Sequence, residues 1–169
     1  MSRYTLWHDE RNCVGCSACE VQCKVNKGLG PGPSLCKIIR VEGKDMATSP
    51  SLGFVFMPCF HCEQAVCMTV CPTGAMRRRD RDGIVYVEAS QCIGCKSCIL
   101  ACPWGACQWN PETGKAIKCD YCMDRLDQGL APSCVTVCMT QCLSFTPAEQ
   151  VPLWKRMRHA QQVAFGSVI

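Results

Sequence analysis

Cys92-Ile-Gly-Cys-Lys-Ser-Cys-Ile-Leu-Ala-Cys102, followed by Pro103, is the stretch from which the rest of this chain can be read. Three cysteines at i, i+3 and i+6 converge on one iron–sulfur cluster. The fourth, four residues on, serves a second cluster nearby, as in the bacterial-type [4Fe–4S] ligand run. The chain repeats the unit. Cys13, Cys16, Cys19 and Cys23 keep the same spacing without the proline. Cys59, Cys62, Cys67 and Cys71 carry two extra residues before the third cysteine, and Pro72 follows. Cys119, Cys122, Cys134 and Cys138 carry a long insert.

The chain has 169 residues, of which 19 are cysteine. Such usage means either a disulfide scaffold or metal binding. A disulfide scaffold belongs to an oxidising compartment and a secretory leader. The opening Met1-Ser-Arg-Tyr-Thr-Leu-Trp-His-Asp-Glu10 has no apolar core and no small-residue cleavage site. No run approaches the roughly 18 apolar residues of a membrane span. The expectation is a soluble, cytoplasmic chain with reduced thiols and no direct membrane span. Export as a folded complex on a partner's signal is the alternative. The formal charge of +4 counts each cysteine as neutral. A [4Fe–4S] core on four thiolates carries about −2, so four of them bring the chain near about −4. The basic residues then offset buried cluster charge, and nucleic acid is not an expected partner.

Regular structure should be sparse. Arg3–His8, Lys37–Glu42, Phe54–Met57 and Ile84–Glu88 read as short strands, and a further short strand runs through Lys118. Ser17–Lys24 reads as a helix with Cys19 and Cys23 on one side, and Asp124–Leu130 as a helical insert. Gly28–Ser34, rich in Gly and Pro, excludes both periods. Gly43–Gly53 reads as a polar loop. Arg77–Gly83 reads as a charged, solvated hairpin, and Asn110–Gly114 as a turn. The fold class expected is small α+β, with clusters in place of an ordinary core, so that metal ligation is folding energy.

The second and third motifs end in Cys-Pro, and the first and fourth do not. That symmetry suggests two ferredoxin-like double-cluster modules, the outer wrapped around the inner. Exchange of the fourth ligand then gives four sites. Site one is Cys13, Cys16, Cys19 and Cys138. Site two is Cys59, Cys62, Cys67 and Cys102. Site three is Cys92, Cys95, Cys98 and Cys71. Site four is Cys119, Cys122, Cys134 and Cys23. The expected organisation is an outer module of residues 1–24 and 115–146, an insertion at 25–57, an inner module at 58–114 and a tail at 147–169. A tandem pairing, first with second and third with fourth, is the rival arrangement.

Pro58-Cys-Phe-His-Cys62, Cys67, Cys71-Pro-Thr-Gly-Ala75, Cys102-Pro-Trp-Gly-Ala106, Asn110-Pro-Glu-Thr-Gly114 and Lys118-Cys-Asp-Tyr-Cys122 together carry a resemblance. The chain resembles the four-cluster iron–sulfur subunits of molybdenum and tungsten pterin oxidoreductases, of the formate dehydrogenase, dimethyl sulfoxide reductase, polysulfide reductase and aldehyde oxidoreductase kinds. The resemblance implies nested pairing and four [4Fe–4S] clusters. It implies a Mo/W-pterin catalytic subunit as partner, and a second electron-exchange subunit, flavin/NAD- or quinone-linked. By size and tail the chain looks closest to the compact polyferredoxin subunit of tungsten aldehyde oxidoreductase, which suggests aldehyde or formate oxidation.

Other readings are weaker. Structural zinc uses paired C-x-x-C hairpins, which the fourth motif could imitate but three cysteines in seven residues cannot. An enzyme with a substrate-activating cluster needs an open iron, and every site here has four cysteines. A redox sensor or assembly protein would carry a partner-binding module, and none is visible. No catalytic residue is expected. Cys36, Cys107 and Cys142 remain as small buried hydrophobes near clusters, with Cys142 a rival to Cys138. His8, His61 and His159 are lone histidines, unneeded as ligands. Trp104, Trp109 and Tyr121 should exclude water. Thr146-Pro-Ala-Glu149 reads as a capping box. After a first turn, Pro152 should kink the chain into a helix from about Leu153 to Phe165, ending at Gly166. Its Trp154, Met157, Ala160 and Ala164 stripe either clasps back on the chain's own domain or docks on a partner or a second copy of the chain.

Overall fold

The computed structural model describes residues 3–42 and 52–165. Among the described residues the fold is α+β, built from four two-stranded antiparallel ribbons and short helices that carry many of the cysteines. β1 (Tyr4–His8) pairs with β8 (Leu143–Pro147), Leu6 opposite Phe145, and so joins the two ends of the chain. β2 (Lys37–Glu42) pairs with β3 (Leu52–Met57). β4 (Met76–Arg78) pairs with β5 (Val85–Val87), and β6 (Gln108–Asn110) with β7 (Lys115–Ile117). The helices are α1 (Ala18–Lys27), α2 (Val66–Thr69), α3 (Ser97–Ala101), α4 (Met123–Leu126), α5 (Ser133–Thr136) and α6 (Val151–Phe165).

β1 and β2 follow the expected runs closely. β3 begins two residues earlier, inside the expected polar loop, whose residues 43–51 lie outside the described residues. α1 runs three residues past Lys24 and stops at Gly28, which takes the left-handed conformation that glycine adopts without a Cβ clash. The insert in the fourth motif forms one helical turn, α4, and not a helix through Leu130.

Two packed groups form the interior. One gathers Leu35, Phe56, Ile84, Tyr121 and Leu143 with Cys19, Cys23, Cys59, Cys119 and Cys134. The other gathers Ala65, Met76, Val85 and Ala116 with Cys98 and Cys107, and Cys67, Cys71, Cys92 and Cys102 pack against it. Cysteine sulfur thus occupies much of the space that aliphatic side chains fill in an ordinary domain.

The Arg77–Gly83 charge run is a hairpin, β4–β5, but not a uniformly solvated one. Asp82 is buried and Ile84 fully so. Arg79 pairs with Asp82 and reaches Asp127 of the fourth motif at 2.9 Å. Arg78 Nη2 donates to the carbonyls of Cys62 and Glu63 at 2.7 and 2.8 Å. These arginines therefore tie motifs two and four to the hairpin.

The tail corrects its expectation. Thr146 caps nothing: it lies in β8 opposite Thr5. A 3₁₀ turn at Ala148–Gln150 precedes α6, and Pro152 sits in its first turn, where the N–H would have no intrahelical partner anyway. The helix therefore needs no proline kink. Its packed side carries Trp154, edge-on to Trp7 at 5.5 Å, and Arg158, paired with Asp9. Met157, Ala160 and Ala164 of the expected stripe are exposed, and Gly166 lies outside the described residues. No helix among the described residues is long and apolar enough to cross a membrane.

Candidate metal centres

Each cysteine motif starts with the same turn. In Cys13-Val-Gly-Cys16 and Cys92-Ile-Gly-Cys95 the third residue is glycine at φ 67° and 72°. A Cβ on Gly94 would stand 2.6 Å from the Gly114 carbonyl oxygen, so glycine is required there. The equivalent positions of the other motifs hold His61 (φ 45°) and Tyr121 (φ 54°). Left-handed backbone costs a non-glycine residue roughly 1–2 kcal/mol, so these two side chains are kept against a conformational penalty. Both are buried, with ring centroids 3.8 Å apart. The turn aims a backbone N–H back at sulfur, His61 N–H donating to Cys59 Sγ at 3.4 Å, and past the third motif Ala106 N–H donates to Cys102 Sγ at 3.4 Å.

Three cavities gather cysteines from different motifs. One is lined by Cys92, Cys95 and Cys98 together with Cys71, walled by Met76, Val87 and Ala116. A second is lined by Cys59, Cys62 and Cys67 together with Cys102, beside Phe60, His61, Trp104 and Lys118. A third is lined by Cys119, Cys122 and Cys134 together with Cys23, beside Lys27 and Tyr121. Each contains three cysteines of one motif and the fourth of another. At site one, Cys13 lies with His8 and Cys142, their ligand atoms within 4.8 Å of one another. Cys138 Sγ is 3.4 Å from Cys142 Sγ. Cys19 is buried and Cys16 exposed.

The donor set suits iron–sulfur clusters. Four soft sulfurs in one cavity and five in each of the other two, where Cys107 and Cys36 join the lining, match thiolate ligation, and N–H groups already point at ligand sulfurs. Burial pushes the Cys19 thiol up to about 11, and Cys119 well above the ordinary thiol range. Such groups give up their protons when metal binds.

Cys36, Cys107 and Cys142 are buried in the packed groups as expected, and Cys36 and Cys107 also act on ligand sulfurs. Cys107, packed with Cys98 and against Cys67, lowers both of their thiols and is itself pushed up and kept protonated. It therefore joins a sulfur of site two to a sulfur of site three. Cys36 does the same for Cys23 of site four, lowering it, and its Sγ lies 3.7 Å from the Cys19 carbonyl oxygen. Phe60 and Trp104 meet edge-on at 5.3 Å over site two and are half exposed, so they cover it only in part. Lys96 lies over the Trp109 ring at 4.3 Å.

Two of the three histidines have a buried ring nitrogen without a partner. His8 Nδ1 accepts the Phe56 N–H at 3.3 Å, and its Nε2 is buried without a partner. His61 Nδ1 accepts the Val85 N–H at 2.9 Å, and its Nε2 is also buried without a partner. Burial, and after it the charges of Lys118 and Arg78, hold His61 well below the usual histidine range, so it is neutral. Superposing the four C-x-x-C pairs would have found His61 and Tyr121, since both stand where the sister motifs have glycine.

Comparison with known proteins agrees with this chemistry. The family described as the 4Fe-4S dicluster domain matches residues 51–148. The sequence is 41% identical over 174 residues to the thiosulfate reductase electron transfer subunit of Salmonella typhi, covering 99% of this protein and 90% of that one. It is 36% identical over 170 residues to an anaerobic dimethyl sulfoxide reductase subunit of Escherichia coli K12, covering 96% and 80%. A probable anaerobic dimethyl sulfoxide reductase subunit of the same strain is 37% identical over 170 residues, with the same coverage.

Proposed function

This protein belongs to the 4Fe-4S dicluster family, and from that premise we propose that it is the electron-transfer subunit of a molybdenum-pterin reductase acting on a small sulfur-oxygen acceptor of the thiosulfate or dimethyl sulfoxide kind. It is not catalytic alone. The aldehyde or formate oxidation suggested by the sequence gives way, because the named relatives are reductases. Cysteine spacing could not reveal this, since the same ligand run holds the same cluster whichever way electrons flow. In this reading electrons pass from a second redox subunit, through this chain, into the catalytic one.

We assign four [4Fe–4S] clusters to the four sites set out above, in nested modules formed by residues 1–24 with 115–146 and by residues 58–114. The observation that carries the reading is the sharing of each cavity between two motifs. A bound [4Fe–4S] cluster takes up and releases one electron. The chain's own residues hold the sites side by side and set their surroundings. Cys107 joins sites three and two, the His61 and Tyr121 rings in contact join two and four, and Cys36 joins four and one. This adjacency supports a linear order of three, two, four, one. Backbone N–H donors favour the reduced state by stabilising sulfur charge, and burial opposes them by disfavouring the more negative state.

Copurification from native cells tests the function. The largest bound subunit should carry a molybdenum-pterin cofactor, and reduced viologen should drive turnover of thiosulfate or a sulfoxide by the complex. A bound subunit without a pterin would refute the assignment. The exposed Leu153, Met157 and Val163 of α6 support docking of the tail on a partner or a second copy. Truncation after Pro147, which leaves β8 whole, should keep the iron and weaken assembly. Unchanged assembly would remove the tail from the docking surface.

A further inference from the structure

We propose that His61 donates a hydrogen bond from Nε2 to the sulfur of the cluster at site two and thereby sets the reduction potential of that one site. The inference rests on the cluster assignment above and adds a residue that ligation does not require.

His61 lines the cavity of Cys59, Cys62, Cys67 and Cys102. Its exposure is 2%, so no bulk water reaches the ring. Its backbone is left-handed where two sister motifs use glycine, so the imidazole is held at a position that backbone geometry would give to glycine. Tyr121 packs against one side of the ring at 3.8 Å and fixes its tilt. The Val85 N–H fills Nδ1, so the ring hydrogen is on Nε2. Among buried side-chain donors and acceptors of the described residues, Nε2 is one of three without a partner. A buried N–H without an acceptor is costly, and sulfur carrying negative charge is the acceptor that the cavity would supply. Such a bond strengthens when the cluster gains an electron, so it raises the potential.

Two substitutions separate donor from acceptor. In His61→Asn the amide oxygen takes the place of Nδ1 and accepts Val85 N–H, asparagine tolerates the left-handed backbone, and nothing reaches the place of Nε2. In His61→Gln the longer amide restores an N–H donor near Nε2. Full-length protein, loaded with clusters anaerobically and matched for iron, is titrated with EPR detection. The expected result is that His61→Asn keeps its iron while one midpoint falls, the one missing from Cys67→Ala. At fixed potential the ratio of reduced to oxidised site drops about tenfold, about 59 mV for a one-electron couple. His61→Gln recovers most of the loss.

Unchanged midpoints in iron-replete His61→Asn, or equal falls in both variants, overturn the proposal. If the variants lose iron, wild-type His61 is read directly. In protein carrying His8→Gln and His159→Gln, ¹⁵N-histidine labels His61 alone, since the chain has three histidines. A weak ¹⁵N coupling to the reduced cluster is expected, and its absence overturns the proposal. Wild-type protein without iron would overturn the cluster assignment itself, and this inference with it.

Discussion

Crossed ligation makes the cysteines of one motif behave as members of two different sites, and paired substitutions expose this. Cys71 belongs to the second motif, but it lines the cavity of Cys92, Cys95 and Cys98. Cys67, four residues earlier, lines the cavity of Cys59, Cys62 and Cys102. Each single variant, Cys67→Ala, Cys71→Ala or Cys92→Ala, should lose one cluster, so iron falls from about sixteen to about twelve per chain. The double variants then diverge. Cys71→Ala with Cys92→Ala removes two ligands of one site, and iron stays at about twelve. Cys67→Ala with Cys71→Ala empties two sites, and iron falls to about eight. Where sites left with three cysteines retain a three-iron form, Cys67→Ala with Cys71→Ala holds up to about fourteen irons and shows two three-iron centres by EPR, while Cys71→Ala with Cys92→Ala stays at about twelve and shows none. The assay is iron and acid-labile sulfide on anaerobically purified protein, with EPR to identify the lost site. If Cys67→Ala with Cys71→Ala holds as much iron as either single variant, and Cys71→Ala with Cys92→Ala loses two clusters, ligands do not cross between motifs two and three.

Site one should distinguish its neighbouring sulfurs: Cys138→Ala is expected to lose one cluster and Cys142→Ala none, read by iron content. The reverse result would transfer ligation to Cys142, whose Sγ is 3.4 Å away. Cys107→Ala should leave iron intact and lower two midpoints together, those of sites two and three, each by up to about 59 mV, the scale of a tenfold change. A shift confined to one site in a redox titration would remove Cys107 from the boundary between them.

The cysteine spacings made the motifs legible, because three ligands of one cluster must come from one short turn and helix. β1, β2 and the β4–β5 hairpin were legible from alternation and from the turn at Gly83. β8 was not, because its pairing energy comes from Tyr4–His8 at the other end of the chain, and local pattern does not report a distant partner. Of the α6 stripe only Trp154 packs inward, and the rest was illegible for the same reason. Trp154 and Arg158 are inward because Trp7 and Asp9 are there to receive them, while Met157 has nothing comparable and is 57% exposed. His61 and Tyr121 were seen as neighbours of ligands and not as occupants of a glycine position, since their role depends on φ, which spacing does not display. Cys107 and Cys36 were read as hydrophobes because the sulfurs they touch belong to other motifs.

The measurement that bears most directly on the account is the metal content of the native chain, purified without oxygen. Four [4Fe–4S] sites require about sixteen irons and about sixteen acid-labile sulfides per chain, with mutually coupled paramagnetic signals on reduction. Stoichiometric zinc with iron near zero would contradict it.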